Sequence, residues 1–310
     1  MVGGIRAPDR ACGTPMTPDS PVRLAVHAMA TRFEIYLPGE DTARLRSAGE
    51  EALREIEALE LQLSRYRSES DIYRINARAY REPVRLEARL FALLKRAAEL
   101  SRLTDGAFDI TVTPLLRAWG LDGGGKIPEP SELEAAHARV GISAMHLCGS
   151  DSTVRFEREW MEIDLGAIGK GYAIERAVEV IRECGVTSAL IHGGTSTIYA
   201  LGAPPDADAW RVAIDDPTNG GTLPDALDLR DCSLSVSAVH GKSFTREGKR
   251  YGHVIDPRTG APTEGALLAA VWGPSPTDTD ALSTALLVLG EPGLELLRDR
   301  MPDYEGLVLG

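Results

Sequence analysis

Asp280 and Thr284 stand four residues apart in SPTDTDALSTALLVLG, residues 275–290. On a helix that spacing places a carboxylate and a hydroxyl on one face, one turn apart. Both are hard oxygen donors suited to Mg²⁺ or Ca²⁺, and two such ligands need a third from elsewhere. A structural reading competes: an acidic residue near a helix N-terminus favours the dipole, with the threonine packed inward. Asp278 or Thr279 is the expected cap of this helix.

A second set lies in IDLGAIGKGYAIERA, residues 163–177. An apolar, strand-like start ends at Asp164 and runs into Gly166, Gly169 and Lys170. A helix follows from about residue 169, with Ile174, Ala177, Val178 and Ile181 on one face. Glycines and a lysine at a helix N-terminus can hold an anion, because the free N–H groups and the dipole point at the ligand. A plain strand-to-helix turn with a surface lysine is the alternative. A third set is GKRYGHVIDPRTGAP, residues 248–262, whose DPRTG is a turn signal. His253, placed by the pattern on a short strand before that turn, titrates near neutral pH and is a candidate general acid or base. Lone histidines on strands also serve purely structural roles.

One apparent motif fails on inspection. GLDGGGKI, residues 120–127, has the G-x-x-x-x-G-K spacing of a phosphate loop, but Ile127 stands where a Ser or Thr must reach magnesium. It also follows LLRAWG and precedes Pro128, so neither the strand nor the helix of a phosphate loop is in place. The segment reads as a flexible surface loop.

The elements that must position these residues are mixed. VRLAVHAMATRFEIYLPG, residues 22–39, alternates as a strand pair or one bent strand. Apolar spacings of three and four predict helices over 41–65 and 87–103, with others near 131–139, 278–289 and 292–300. GSDS, residues 149–152, reads as a hairpin turn, and Asp105-Gly106 is a turn signal. Strands are expected at 188–201, 210–215, 226–237, 251–255 and 266–272. Strands joined partly by hairpins and partly by helices indicate an α+β fold of antiparallel sheets with packed helices. There is no internal repeat. Residues 1–20 read as a flexible arm and 21–310 as one functional unit, with the Pro/Gly-rich 120–130 stretch one candidate subdomain break.

Composition narrows the function classes. The 310 residues are 43% hydrophobic and 26% charged, typical of a soluble globular chain. A formal net charge of −12 argues against non-specific nucleic-acid binding, and an anionic ligand would need local help from a metal ion or a helix N-terminus. Cys12, Cys148, Cys184 and Cys232 lack any CxxC spacing and read as small core thiols. No run approaches the ~18 apolar residues of a membrane span, and the opening lacks the apolar region of a secretory leader, so the expectation is a cytoplasmic protein.

Taken together, the segments resemble the FAD:protein FMN transferases, the ApbE type of flavin transferase. MATRFEIYL, LSRYRSESDIYRIN, TDGAFDITVTPLLRAWG, IDLGAIGKGYAIERA, GGTSTIYALG, GHVIDPRTGAP and DTDALSTALLVLG occur in the family's order, from about residue 22 to 305. The resemblance implies an α+β fold related to the T-fold and transfer of FMN from FAD to a Ser or Thr hydroxyl of a target protein, with release of AMP. It implies a divalent cation, Mg²⁺ or another, held by Asp280, Thr284 and the backbone carbonyl of Ala167. Met29, Tyr66, Ala107, Phe108, Asp109, Asp164, Lys170 and Ile255 match FAD contacts, and His253 matches the family histidine chosen here as general base. Asp280 is catalytic only through the metal. The partners implied are FAD and an acceptor protein bearing a short Ser/Thr flavinylation motif.

Two departures concern the acceptor side. Thr195 stands where the family usually has an acidic residue, and SVSAVHGKSF, residues 235–244, replaces the usual S-T-S-G-(D/N)-Y-R. His240, Lys242 and Ser243 could reshape acceptor recognition, or His240 could share proton transfer. An FAD pyrophosphatase and a non-catalytic FAD-binding protein therefore stand as alternatives.

Overall fold

The computed structural model describes residues 5–6, 21–218, 220–239, 243–246 and 248–310. Its centre is a seven-stranded antiparallel sheet in the order β15 (Glu305–Leu309), β14 (Leu268–Gly273), β11 (Cys232–Ala238), β8 (Thr197–Leu201), β7 (Ala189–Gly193), β3 (Thr31–Leu37) and β2 (Val22–Ala28). Smaller sheets are formed by β1 (Ile5–Arg6), β9 (Trp210–Ile214) and β10 (Leu227–Leu229), by β4 (Val84–Arg85), β6 (Thr153–Phe156) and β5 (Met145–Cys148), and by the hairpin β12 (Ser243–Arg246) and β13 (Lys249–Gly252). The helices are α1 (Thr42–Leu63), α2 (Asp71–Arg78), α3 (Ala88–Leu103), α4 (Thr113–Ala118), α5 (Pro130–His137), α6 (Gly169–Glu183), α7 (Pro276–Leu289) and α8 (Pro292–Arg300).

Strand alternation puts successive side chains on opposite faces of the large sheet, and both faces are covered. Phe33, Ile35, Ile191, Tyr199 and Val271 pack with residues of α1, α6 and α7 in one core. Leu190, Ile198, Leu234, Val236 and Ala270 face the other way, against Trp210, Val212 and Leu229. Each large side chain removed from water contributes roughly 1.5–3 kcal/mol. These two apolar layers therefore hold the sheet in place, while the face of β11 that meets α7 carries polar groups. A third cluster joins α4 and α5 to Ile255, Phe244 and Tyr251.

The α+β expectation holds, as do the hairpin at 22–39, the long helices and the turn at GSDS. Elsewhere tertiary context overrides the pattern. The 188–201 stretch is two strands, β7 and β8, folded back at the positive-φ Gly194. The short helices α2 and α4 carry too few turns for a periodic signal. Cys148 and Cys184 are exposed and Cys232 is half-buried, contrary to the core-thiol expectation, while Cys12 lies outside the described residues. The GLDGGG segment forms a tight turn in which Lys126 N–H bonds Trp119 O at 2.8 Å, with the Phe244 ring lying against Gly125.

Candidate active site

Helix α7 brings Asp280 under cover. Its N-cap is Ser275, not Asp278 or Thr279: Ser275 Oγ accepts the Asp278 N–H at 3.2 Å, and Pro276 takes the first helical position, where no N–H is needed. Asp280 is only 3% exposed. Its Oδ2 accepts the Gly171 N–H at 3.0 Å, its Oδ1 accepts Thr197 Oγ1–H at 3.2 Å, and Lys170 Nζ lies 3.2 and 3.4 Å from the two oxygens. Lys170 Nζ also donates to Gly166 O at 3.3 Å. One ammonium thus meets both the glycine turn and the helix carboxylate. Thr284, one turn along, donates to Asp280 O at 3.3 Å and lies 3.4 Å from Ser237 Oγ.

A layer of hydroxyls lies beneath α7. Ser233, Ser235 and Ser237 alternate along β11 on the face that meets the helix. Ser233 and Ser235 each lie 2.9 Å from Thr279 Oγ1, Ser237 lies 2.9 Å from Ser283 Oγ, and Ser235 donates to Thr197 at 3.3 Å. Ser233, Ser235, Thr197, Thr279 and Ser283 are fully buried. Buried hydroxyls are costly unless bonded, and here they satisfy one another while Thr197 fixes one oxygen of Asp280.

The glycine turn is built differently from the sequence expectation. Asp164 does not end a strand. The preceding backbone is held by the Asn76 carboxamide, which accepts Ile163 N–H at 2.8 Å and donates to Ile163 O at 3.0 Å, so no strand ladder forms. Asp164 N–H bonds Ile110 O at 2.7 Å, and its Oδ1 accepts Gly166 N–H at 2.5 Å. Nor does α6 present a full set of free donors to an anion: Gly169 N–H bonds Leu165 O at 2.7 Å and Gly171 N–H is taken by Asp280. Asp280 acts as a cap supplied by another helix. Gly171 is the contact point, since a Cβ there would lie 2.0 Å from Pro276 O and 2.8 Å from Asp280 Cβ.

The remaining candidates lie on other segments. Ala107 and Phe108 are buried, following the positive-φ pair Asp105 and Gly106, and Ile110 ties them to Asp164. Both Asp109 oxygens are occupied: Oδ1 accepts Thr111 N–H and Oγ1–H at 2.8 and 2.7 Å, and Oδ2 accepts Ile142 N–H at 2.9 Å. Burial raises its pKa above the ordinary value. Met29 and Ala30, both at positive φ, form the two-residue turn between β2 and β3, with Met29 N–H bonded to Glu60 at 3.0 Å. Tyr66 is exposed and stacks on Arg65.

His253 is half-buried and follows β13 instead of lying on it. Gly252, immediately before it, packs against Val239, which continues from β11. Ile255 is buried with Leu115 and Trp119 and bridges to Pro262. The DPRTG turn is closed by Arg258, which binds both Asp256 oxygens at 2.9 Å, while Trp119 Nε1–H donates to Gly260 O at 2.8 Å. Ser243 lies on the exposed hairpin, where Arg250 Nε donates to it at 2.9 Å, and Thr195 is exposed in the β7–β8 turn. His240 and Lys242 lie outside the described residues.

Behind α7, further charges fix its N-terminus. Asp278 accepts two bonds from Arg96 at 2.8 and 2.6 Å and one from Tyr304 at 2.6 Å. Burial, then the Asp278 charge, raises the Tyr304 pKa. Glu175 on α6 accepts bonds from Ser275 and Thr277, and burial raises its pKa. The sequence reading missed Thr197, the β11 serines, Gly171 and Arg65. Alternation in CSLSVSA, with serine at every second position of an otherwise apolar strand, was the available signal for the hydroxyl layer.

Among the described residues no group of three or more His, Cys, Asp or Glu side chains could hold a metal. A cation here would depend on mixed oxygen donors: Asp280, the Thr284 hydroxyl and a carbonyl from the 166–168 turn. The Lys170 ammonium already touches donors from both segments, so the donor set suits a hard divalent ion whose shell is completed by substrate oxygens.

The ApbE family model matches residues 29–308. A curated FAD:protein FMN transferase of Treponema pallidum is 34% identical, with 86% of this chain and 78% of that protein aligned. A protein of the same name from Vibrio cholerae is 29% identical, with 88% and 83% aligned. Among solved structures, the ApbE protein of Thermotoga maritima superposes with a TM-score of 0.85 at 26% identity, covering 93% of this chain and 94% of that one. The flavin transferase ApbE of Vibrio cholerae gives 0.81 at 26% identity, covering 94% and 97%.

Proposed function

Because the chain belongs to the ApbE family, we propose that it transfers FMN from FAD to a Ser or Thr hydroxyl of an acceptor protein and releases AMP. The observation that carries this reading is the meeting of Asp280, Lys170 and the 166–168 turn at one point. Asp280, Thr284 and the Ala167 carbonyl would hold the divalent cation, Mg²⁺ first among candidates. When bound, that ion neutralises pyrophosphate charge and stabilises the departing AMP.

The other roles fall to the chain itself. Lys170 is a flexible cation within reach of both Asp280 and the space above the turn, placed to follow a phosphate oxygen. Asp164, held by Gly166 N–H and Arg65, borders the dinucleotide. Ala107, Phe108 and Ile255 have buried side chains and would meet FAD through their main chain, as would Asp109, whose carboxylate is fully used. Met29 and Tyr66 supply apolar and aromatic surface. His253 takes the proton from the acceptor hydroxyl, a role its half-exposed position beside β11 allows. Residues 21–310 act as the catalytic unit.

No helix among the described residues is long and apolar enough to cross a membrane. In the proposed reaction the acceptor is a separate polypeptide that must present its hydroxyl to the site. The test is AMP release from FAD with Mg²⁺, with and without a Ser/Thr acceptor peptide, comparing the native chain with Asp280→Ala. AMP together with FMN-labelled peptide, both lost in the variant, is expected. AMP with free FMN only would indicate a pyrophosphatase, and bound FAD without turnover a binding protein.

A further inference from the structure

Arg65 follows the Ser64 cap of α1 and is not among the residues the sequence marks for chemistry. Its side chain is only 7% exposed and forms ion pairs with two carboxylates from separate segments, Asp122 and Asp164. Its guanidinium carbon lies 4.4 Å from the centre of the Tyr66 ring, and its Nη2 donates to Tyr66 Oη at 2.6 Å. Tyr66 Oη in turn donates to Asp122 Oδ1 at 3.0 Å. Arg65, Tyr66 and Asp122 form a closed ring of contacts, which Arg65 joins to Asp164 of the glycine turn.

Burial does not account for the placement of Tyr66 in this ring. Tyr66 is 70% exposed, so its aromatic surface gains little from burial, yet its rotamer is held by three contacts. Fixing an exposed side chain costs conformational entropy, which burial of its own surface does not return. Asp122 sits in the glycine-rich 120–125 turn, where Gly120, Gly124 and Gly125 adopt positive φ. A Cβ on Gly125 would strike the Phe244 ring at 2.2 Å, so Gly125 serves close packing of the β12–β13 hairpin. The turn is thereby held from one side by Phe244 and from the other by Arg65.

We propose that Arg65 is a positioning residue that presets Tyr66 and the 120–125 turn against Asp164, forming the rim that receives the dinucleotide. The proposal rests on the reading above that this site takes FAD. Presetting the rim removes ordering cost from binding, so its loss weakens association more than it slows the chemical step. Lysine cannot replace arginine here, because a single ammonium cannot span two carboxylates and cover an aromatic face at once.

The test is titration of FAD by flavin fluorescence, alongside steady-state AMP release, for the full chain and for Arg65→Met, Arg65→Lys, Asp122→Asn and the Arg65→Met/Asp122→Asn pair. Arg65→Met should weaken FAD binding about tenfold or more, the scale of a lost charge-assisted pair, with the loss in KM and not in kcat. Arg65→Lys should recover only part of it. Asp122→Asn should weaken binding by less, and the double variant should be no worse than Arg65→Met alone, because both changes open one ring. Binding by Arg65→Met within about twofold of the native chain, multiplicative effects in the pair, or a fall in kcat at constant KM would each overturn the proposal. Should Arg65→Met fail to fold, Asp122→Asn on the more exposed turn decides the matter alone: unchanged FAD affinity overturns it. A native chain that binds FAD but releases no AMP would sink the transferase reading and leave the role of Arg65 to the binding data.

Discussion

Gly171→Ala is the sharpest perturbation of the helix crossing that positions Asp280. The added Cβ would lie 2.0 Å from Pro276 O, 2.7 Å from Pro276 C and 2.8 Å from Asp280 Cβ. Its obstacles are backbone atoms and the first atom of a side chain, none of which can swing away. Relief requires α6 and α7 to separate by about 1 Å at their closest approach, and overpacking of this kind costs about 1–3 kcal/mol. With backbone on both sides the upper end applies, near 3 kcal/mol, or roughly a hundredfold in the folding equilibrium. The same shift lengthens the 3.0 Å bond from Gly171 N–H to Asp280 Oδ2. Misplacement by about 1 Å can cost on the order of a hundredfold in rate. The control is Gly169→Ala, whose added Cβ meets only Leu165 Cβ at 3.8 Å. It should be neutral, or stabilising by a few tenths of a kcal/mol from helix propensity. Urea unfolding and AMP release on both variants check the reasoning. Equal stability of the two, or full activity in Gly171→Ala, would refute the claim that this contact sets the position of Asp280.

Arg96→Met strands the Asp278 carboxylate, whose side chain is 6% exposed, with Tyr304 as its remaining side-chain partner. Removing one member of a buried pair typically costs about 3–5 kcal/mol, reduced here because Arg96 keeps 30% exposure, and chemical denaturation should show a loss of about 2–3 kcal/mol. Glu175→Gln should gain stability relative to the native chain as pH rises. Burial raises the folded pKa of Glu175 above its ordinary 4.5, so its contribution is fully present below that value and is lost as pH rises through the folded pKa. Unfolding free energies of both chains between acid and neutral pH would show the difference, and a gap independent of pH would contradict it.

How much of this was legible depended on how local the cause was. Helix α1 announced itself because Leu45, Ala48, Ala52, Ile56, Leu59 and Leu63 recur at spacings that any helix must bury on one side. The convergence of 163–177 with 275–290 was legible only through family likeness, since no periodicity links Lys170 to a carboxylate 110 residues away. The apolar run before Asp164 looked like a strand because hydrophobicity does not reveal where hydrogen bonds go; here the Asn76 carboxamide takes them. Arg65 was hidden for a similar reason. Its neighbours in sequence are polar and surface-like, and its carboxylate partners come from two distant turns.

Asp278 and Asp280 show most plainly why spacing alone could not assign the chemistry. Both are acidic, both are nearly buried, and two helical positions turn them about 200° apart. Asp278 points back toward α3 and the C-terminal strand, where Arg96 clamps it with two bonds and Tyr304 adds a third. Bidentate arginine is a rigid, permanent partner, so that carboxylate is spent on holding the helix. Asp280 points toward α6 and meets a Gly171 N–H, a Thr197 hydroxyl and the longer contacts of Lys170, 3.2 and 3.4 Å to its two oxygens. Lysine is a point charge on a flexible stem and can move from one anion to another without rebuilding the fold. Of two aspartates in one motif, the one whose counter-ion can leave is the one available to a substrate or a metal, and that property resides in the partners and not in the motif.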